Sequence, residues 1–118
     1  IKNFLLDQKF VSGIGNIYAS EILFHSKIYP FKKGKKLSIK DCNNIIFFCK
    51  KVLKNSIKKG GSSIKNFKNT TGDNGYFQKE FQVYQREDLN CLKFKCKGKI
   101  KKKFISNRST FFCNVCQK

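Results

Sequence analysis

The sequence predicts a mainly α fold closed by a small β-hairpin zinc finger, and three observations carry that expectation. One stretch reads as helix, tight double turn, helix; a longer one repeats apolar residues at three- and four-residue intervals; and the carboxyl end holds two close cysteine pairs around a hairpin-like run. At 118 residues the chain can bury one modest core, or a small helical core plus a metal-held module, but hardly two full domains. The expected organisation is a helix-two-turn-helix domain over residues 1–78, followed by a zinc ribbon-like hairpin module over residues 79–118.

Phe4, Leu5, Leu6, Phe10 and Val11 give the first residues an approximately helical apolar spacing, so a helix is expected to end near Ser12. In Gly13-Ile14-Gly15-Asn16 the two glycines permit backbone angles that other residues avoid. Asn16 is expected to cap the helix that follows through about His25. Pro30 ends that region. Ser38, with Asp41 three residues on, has the form of a capping box. Ile39, Cys42, Ile45, Ile46, Cys49, Val52, Leu53 and Ile57 then carry a helix as far as Gly60-Gly61. Cys42 and Cys49 fall on one face of it and read as small core hydrophobes.

Residues 62–77 turn polar and glycine-rich and read as a functional loop. Phe81, Val83 and Tyr84 suggest a short extended segment leading onward. Lys99 to Phe104 and Thr110 to Cys113 read as two strands joined by Ser106-Asn107-Arg108-Ser109, a hairpin with an arginine at its tip.

Cys91 and Cys96 are separated by four residues, Cys113 and Cys116 by two, and sixteen residues lie between the pairs. Two such pairs across a spacer let facing turns present four thiolates to one Zn²⁺ per chain. The second pair has the spacing of a zinc knuckle and the first is looser. Disulfides or buried thiols are the alternative, but no signal-like segment suggests an oxidising compartment. His25, the only histidine, could in principle replace Cys91, although nothing in its spacing pairs it with the cluster.

Lys and Arg number 26 against 7 Asp and Glu, a formal charge of +19. Such self-repulsion is relieved best by an anionic partner, and a phosphate backbone is the commonest one. A membrane surface is set aside, because there is no lipidation motif, no apolar run of spanning length and no strongly basic amphipathic helix with exposed aromatics. Part of the lysine content is plain solvated surface, so single lysines say little. The chain has no Met, and its first residues read as the middle of something, so the carboxyl part of a longer chain is expected.

The run Phe4-Leu5-Leu6-Asp7-Gln8, followed by Gly13-Ile14-Gly15-Asn16-Ile17-Tyr18-Ala19-Ser20-Glu21, closely resembles the helix-two-turn-helix of the formamidopyrimidine-DNA glycosylase family. Gly60-Gly61-Ser62-Ser63 and Gly72-Asp73-Asn74-Gly75-Tyr76-Phe77 resemble its lesion-recognition loop, and Asn107-Arg108-Ser109-Thr110-Phe111-Phe112-Cys113 resembles its zinc-finger hairpin. The resemblance covers essentially the whole chain and separates it from the endonuclease VIII branch. It implies a bifunctional glycosylase and AP lyase that flips oxidised purines such as 8-oxoguanine or formamidopyrimidines out of damaged double-stranded DNA, excises them and nicks the strand. In the family an amino-terminal proline is the nucleophile and the adjacent glutamate the acid. Neither is here, since the one proline is Pro30. The chain thus resembles the DNA-gripping half, expected to be inactive without the missing amino-terminal catalytic domain, monomeric, and cytoplasmic in a bacterial-type cell, on the nucleoid when DNA-bound.

Carried over by resemblance, Asn16 would contact a phosphate beside the lesion and Lys2 would lie near the active-site entrance, although a surface lysine is its default reading. Ser62, Gly75, Tyr76 and Phe77 would belong to the lesion loop. Arg108 would be the proton donor in δ elimination or a phosphate clamp, and the forked guanidinium favours the clamp. One departure is the first cysteine pair, which the family usually separates by two residues. A non-catalytic zinc-dependent DNA-binding module, remnant or damage sensor, is the alternative. A basic zinc-ribbon ribosomal protein would explain the charge and cysteines but not the glycine turn.

Overall fold

The structure, a computed structural model, describes residues 1–60 and 81–118. Its order is α1 (Lys2–Leu6), α2 (Asn16–His25), a 3₁₀ turn at Gly34–Lys36, α3 (Ile39–Lys58), β1 (Ile100–Ile105) and β2 (Arg108–Cys113). The expected loop at residues 62–77, the Gly61 half of the helix stop and the boundary between residues 78 and 79 lie outside the described residues.

The start of α3 is fixed by its own sequence. Ser38 Oγ accepts from Asp41 N at 3.0 Å, Asp41 Oδ2 accepts from Ser38 N at 3.1 Å, and Lys32 pairs with the same carboxylate at 3.0 Å. At the other end Gly60 takes φ +78°, the left-handed angle with which helices commonly stop. α1 is shorter than its apolar spacing predicts. Asp7 is already extended, its carboxylate accepts from Lys9 N at 2.9 Å, and Gln8 Oε1 accepts from Gly13 N at 2.9 Å. These side chains offer the backbone a turn in place of the helix. The cap of α2 also differs: Gly15 is the capping residue, and Asn16 is the first residue of the helix with its side chain turned elsewhere.

The two strands form an antiparallel hairpin in register from Ile100 opposite Cys113 to Ile105 opposite Arg108. Ser106 and Asn107 turn it at φ 47° and 63°, the paired positive angles of a two-residue type I′ turn. Arg108 therefore begins β2 and is not at the tip. Residues 82 and 83 form a bend and a turn begins at Tyr84, so there is no extended segment over Phe81 to Tyr84.

One core gathers Leu5, Ala19, Ile22, Leu23, Ile45 and Val52 from the helices, with Ile14 and Ile28 from the segments flanking α2 and with Phe81. The other gathers Val83, Cys91, Ile100, Phe111 and Cys113 around Phe24 of α2. Three polar bridges join them. Glu21, 1% exposed on α2, accepts from the backbone N–H groups of Gln82, Val83 and Tyr84 at 2.9, 3.0 and 2.9 Å. Gln117 accepts from Cys113 N at 2.8 Å and donates to Ile28 O at 2.9 Å. Lys2 reaches β2, as described below. Cys42 is not core as expected but exposed, whereas Cys49 is half-buried and packs against the helical core; both line an apolar groove of about 480 Å³ between α3 and the chain around Phe4 and Val11. The helical repeat there is thus core at Ile45, the core's margin at Cys49 and groove wall at Cys42.

Candidate nucleic-acid interface and metal centre

α1, the start of α2 and the start of β2 meet at one backbone carbonyl. Lys2 Nζ donates to Ser109 O at 3.1 Å and to Thr110 Oγ1 at 2.8 Å, and Asn16 Nδ2 donates to the same Ser109 O at 3.0 Å. Asn3 Nδ2 adds a contact to Ser106 Oγ at 3.4 Å. The sequence-predicted residues Lys2 and Asn16 are thereby brought beside Arg108, which is one residue before Ser109 and exposed. Lys2 is not on the surface: it is fully buried, which together with the nearby Arg108 guanidinium holds its pKa down at about 8. Asn16 Oδ1 is buried with no protein donor among the described residues. The amide is therefore held through Nδ2, at the first residue of a helix whose capping Gly15 has no side chain to take up the first backbone N–H groups.

The hairpin presents a run of cations beside this junction. Lys101, Lys102 and Lys103 follow one another on β1, with Lys103 Nζ 5.8 and 5.9 Å from the ring centres of Phe31 and Phe112 and Lys102 Nζ 5.5 Å from that of Phe104. Tyr29 packs edge-on to Phe112 at 5.2 Å and so anchors that aromatic shelf. Acids are sparse here: Asp88 reaches Lys101 at 3.4 Å and Glu87 reaches Lys102 at 3.9 Å, both on exposed side chains. The predicted lesion-loop residues Ser62, Gly75, Tyr76 and Phe77 lie outside the described residues.

At the opposite end of the hairpin the sulfurs of Cys91, Cys96, Cys113 and Cys116 all lie within 4.8 Å of one another. Cys91 and Cys116 are 3.7 Å apart, Cys96 and Cys113 also 3.7 Å, and Cys96 and Cys116 3.1 Å. Backbone N–H groups of Val115 and Cys116 point to the Cys113 sulfur, and that of Gly98 to the Cys96 sulfur, each at 3.4 Å. Burial raises the Cys91 pKa, and burial plus the neighbouring thiols raises that of Cys116, while Cys116 and the Gly98 N–H pull Cys96 down to about 7. Four thiols crowded into one place and supplied with N–H donors form a donor set suited to a metal cation. His25 takes no part; it stacks on Phe48 at 5.7 Å. Sequence reasoning missed Gly98, where an added Cβ would stand 2.7 Å from the Cys113 sulfur, and Glu21, whose partners are more than sixty residues away. Only a glycine between the cysteine pairs hinted at the first, and nothing local signalled the second.

A family model described as the formamidopyrimidine-DNA glycosylase H2TH domain matches residues 1–68. Formamidopyrimidine-DNA glycosylases of Roseobacter denitrificans and Bdellovibrio bacteriovorus are 44% and 45% identical over 118 residues, covering all of this chain and 42% and 43% of theirs. Among solved structures, the MutM (Fpg) protein of Thermus thermophilus superposes with a TM-score of 0.90 at 33% identity, over 98% of this chain and 44% of that one. The Lactococcus lactis Fpg bound to DNA containing an abasic site does so with a TM-score of 0.90 at 37% identity, over 99% and 42%. The chain thus spans about two fifths of the length of the curated relatives it matches.

Proposed function

The chain belongs to the formamidopyrimidine-DNA glycosylase family, and on that premise we propose that it is the DNA-gripping part of a base excision repair glycosylase and AP lyase acting on oxidised purines in double-stranded DNA. The observation that carries the reading is the junction at Ser109 O, where Lys2 and Asn16 meet beside Arg108. There the exposed Arg108 fork clamps a backbone phosphate while Asn16 and the start of α2 approach a neighbouring phosphate from the other side. Lys2 braces β2 from below and adds charge without itself reaching out. The lysines of β1 supply the salt-sensitive, sequence-independent share of binding.

One Zn²⁺ held by Cys91, Cys96, Cys113 and Cys116 is part of the same proposal. Zinc–thiolate bonds of about 2.3 Å in a tetrahedron put sulfurs about 3.8 Å apart, close to two of the separations above. The ion's role is structural: it ties the two knuckles at the base of the hairpin. The wider first knuckle reaches the cluster because Cys96 N donates to Lys93 O at 2.9 Å and Lys95 turns at φ 60°, which takes up the two extra residues. The Lactococcus lactis relative in complex with abasic-site DNA favours a damaged duplex as the partner.

The decisive experiment measures binding to a duplex carrying 8-oxoguanine or an abasic-site analogue over a range of salt. Tight binding that weakens steeply with salt, with no excision and no borohydride-trapped adduct from the 118-residue chain, is the expected result. Affinity indifferent to salt would sink the grip, and trapping would show that a nucleophile resides here.

A further inference from the structure

Both knuckles carry apolar side chains that the DNA grip does not use. Leu92 and Phe94 of the first are 59% and 87% exposed, and Val115 of the second is 50% exposed. Phe94 and Val115 border a shallow cavity of about 470 Å³ together with Lys27, Lys93, Lys95 and Lys118, and among the described residues no acidic side chain lines it. The patch adjoins Cys96 and Cys116, at the Cys113 end of the hairpin, whereas Arg108 stands at the other end. Five residues of strand separate the two ends, about 17 Å at 3.3 Å per residue. A duplex gripped at Arg108 leaves this patch to a second ligand.

We propose that the two knuckles form a docking surface for an acidic peptide segment with apolar anchors, contributed by a partner protein. The chemistry selects that partner from both sides. Phe94 and Val115 at the cavity, with Leu92 exposed on the first knuckle, give an anchoring residue something to be buried against, and the cationic rim draws acids and repels basic segments. Single-stranded nucleic acid fits less well. Strand binding stacks successive bases on several rings, yet among the described residues Phe94 is the one ring at this cavity, Lys95 Nζ holds one of its faces at 5.3 Å, and Leu92 and Val115 offer no ring. The surface depends on the four-residue first knuckle, because Leu92-Lys93-Phe94-Lys95 places the aromatic at the crest of its turn.

The test titrates the zinc-loaded chain with a synthetic peptide of alternating Asp or Glu with Phe and Leu, followed by amide shifts. Shifts are expected at Leu92 to Lys95, Val115 and Lys27. A control peptide with the same acids but Ser in place of Phe and Leu should bind about tenfold more weakly or worse, as should the parent peptide to Phe94→Ser, the scale of one buried aromatic anchor. Leu92→Ser should act in the same direction, and duplex affinity should stay within about twofold in both variants, as single changes outside the phosphate contacts leave the counterion term intact. Equal binding of the two peptides, or shifts spread over the whole basic surface, would reduce the effect to bulk charge and overturn the proposal. A single-stranded oligonucleotide of the same charge binding these residues more tightly than the peptide would overturn it in favour of nucleic acid.

Discussion

Lys2 shows how burial turns an ordinary cation into one sensitive to pH. With its pKa near 8 against an ordinary value of 10.5, the folded chain binds that proton less readily than the unfolded chain does. The burden on stability is therefore present below about pH 8 and fades as pH rises toward the unfolded value. Phosphate beside Arg108 acts in the opposite sense and favours the charged lysine, so duplex binding should take up a proton. Affinity should fall as pH rises through about 8, and Lys2→Met should flatten that fall. Superimposable pH profiles for the two proteins would remove Lys2 from the grip. Arg108→Ala should weaken duplex binding by about 1 to 3 kcal/mol, with Arg108→Lys restoring only part, because an ammonium keeps the charge and loses the fork. Lys58→Ala, at an exposed residue of α3, should cost much less; equal losses would make Arg108 ordinary basic surface. Gly98→Ala drives a methyl group against the Cys113 sulfur and Val115, so metal affinity should drop by about tenfold or more, within the range seen when residues supporting metal ligands are altered. A competition titration with a zinc chelator measures it.

At the scale of elements, legibility followed locality. α3 could be read end to end because its signals lie within it: the Ser38–Asp41 box, the apolar repeat and the stop at Gly60. Ser38→Ala should cost about 1 kcal/mol in thermal or denaturant unfolding, the usual worth of such a cap. The early end of α1 was not legible, because Asp7 and Gln8 use side-chain bonds that leave no mark on apolar spacing. The hairpin was legible as two strands, while the position of Arg108 depended on a turn of two residues, not four. The cysteine pairs announced through spacing alone a cluster able to hold a metal ion. By contrast, Glu21 looked like one more polar residue on a helix. Its task is to hold the backbone of residues 82–84, and only the folded chain brings them together. The exposure of Cys42 was illegible for the complementary reason: periodicity tells that it shares a face with Cys49 but not how far along that face the cover extends.

On the scale of the whole molecule, helices and hairpin are stitched by Phe24 in the hairpin core, Gln117 between Cys113 and Ile28, Glu21 beneath residues 82–84, and Lys2 against β2. Stripping the metal should therefore lower the melting temperature of the whole chain in one transition, as should Cys113→Ser. Two separated transitions, one metal-dependent and one not, would show that the parts unfold independently. The same stitching gives Ser109 an unusual status. What Lys2 and Asn16 hold there is a main-chain oxygen, and every amino acid supplies one. A mutational scan would pass over position 109 as permissive, and Ser109→Ala should bind DNA almost as the parent does. The dependence would surface only under backbone chemistry, by replacing the amide between Ser109 and Thr110 with an ester whose carbonyl is a poorer acceptor. At this junction, what must be inherited is a shape of the chain rather than a letter of its sequence.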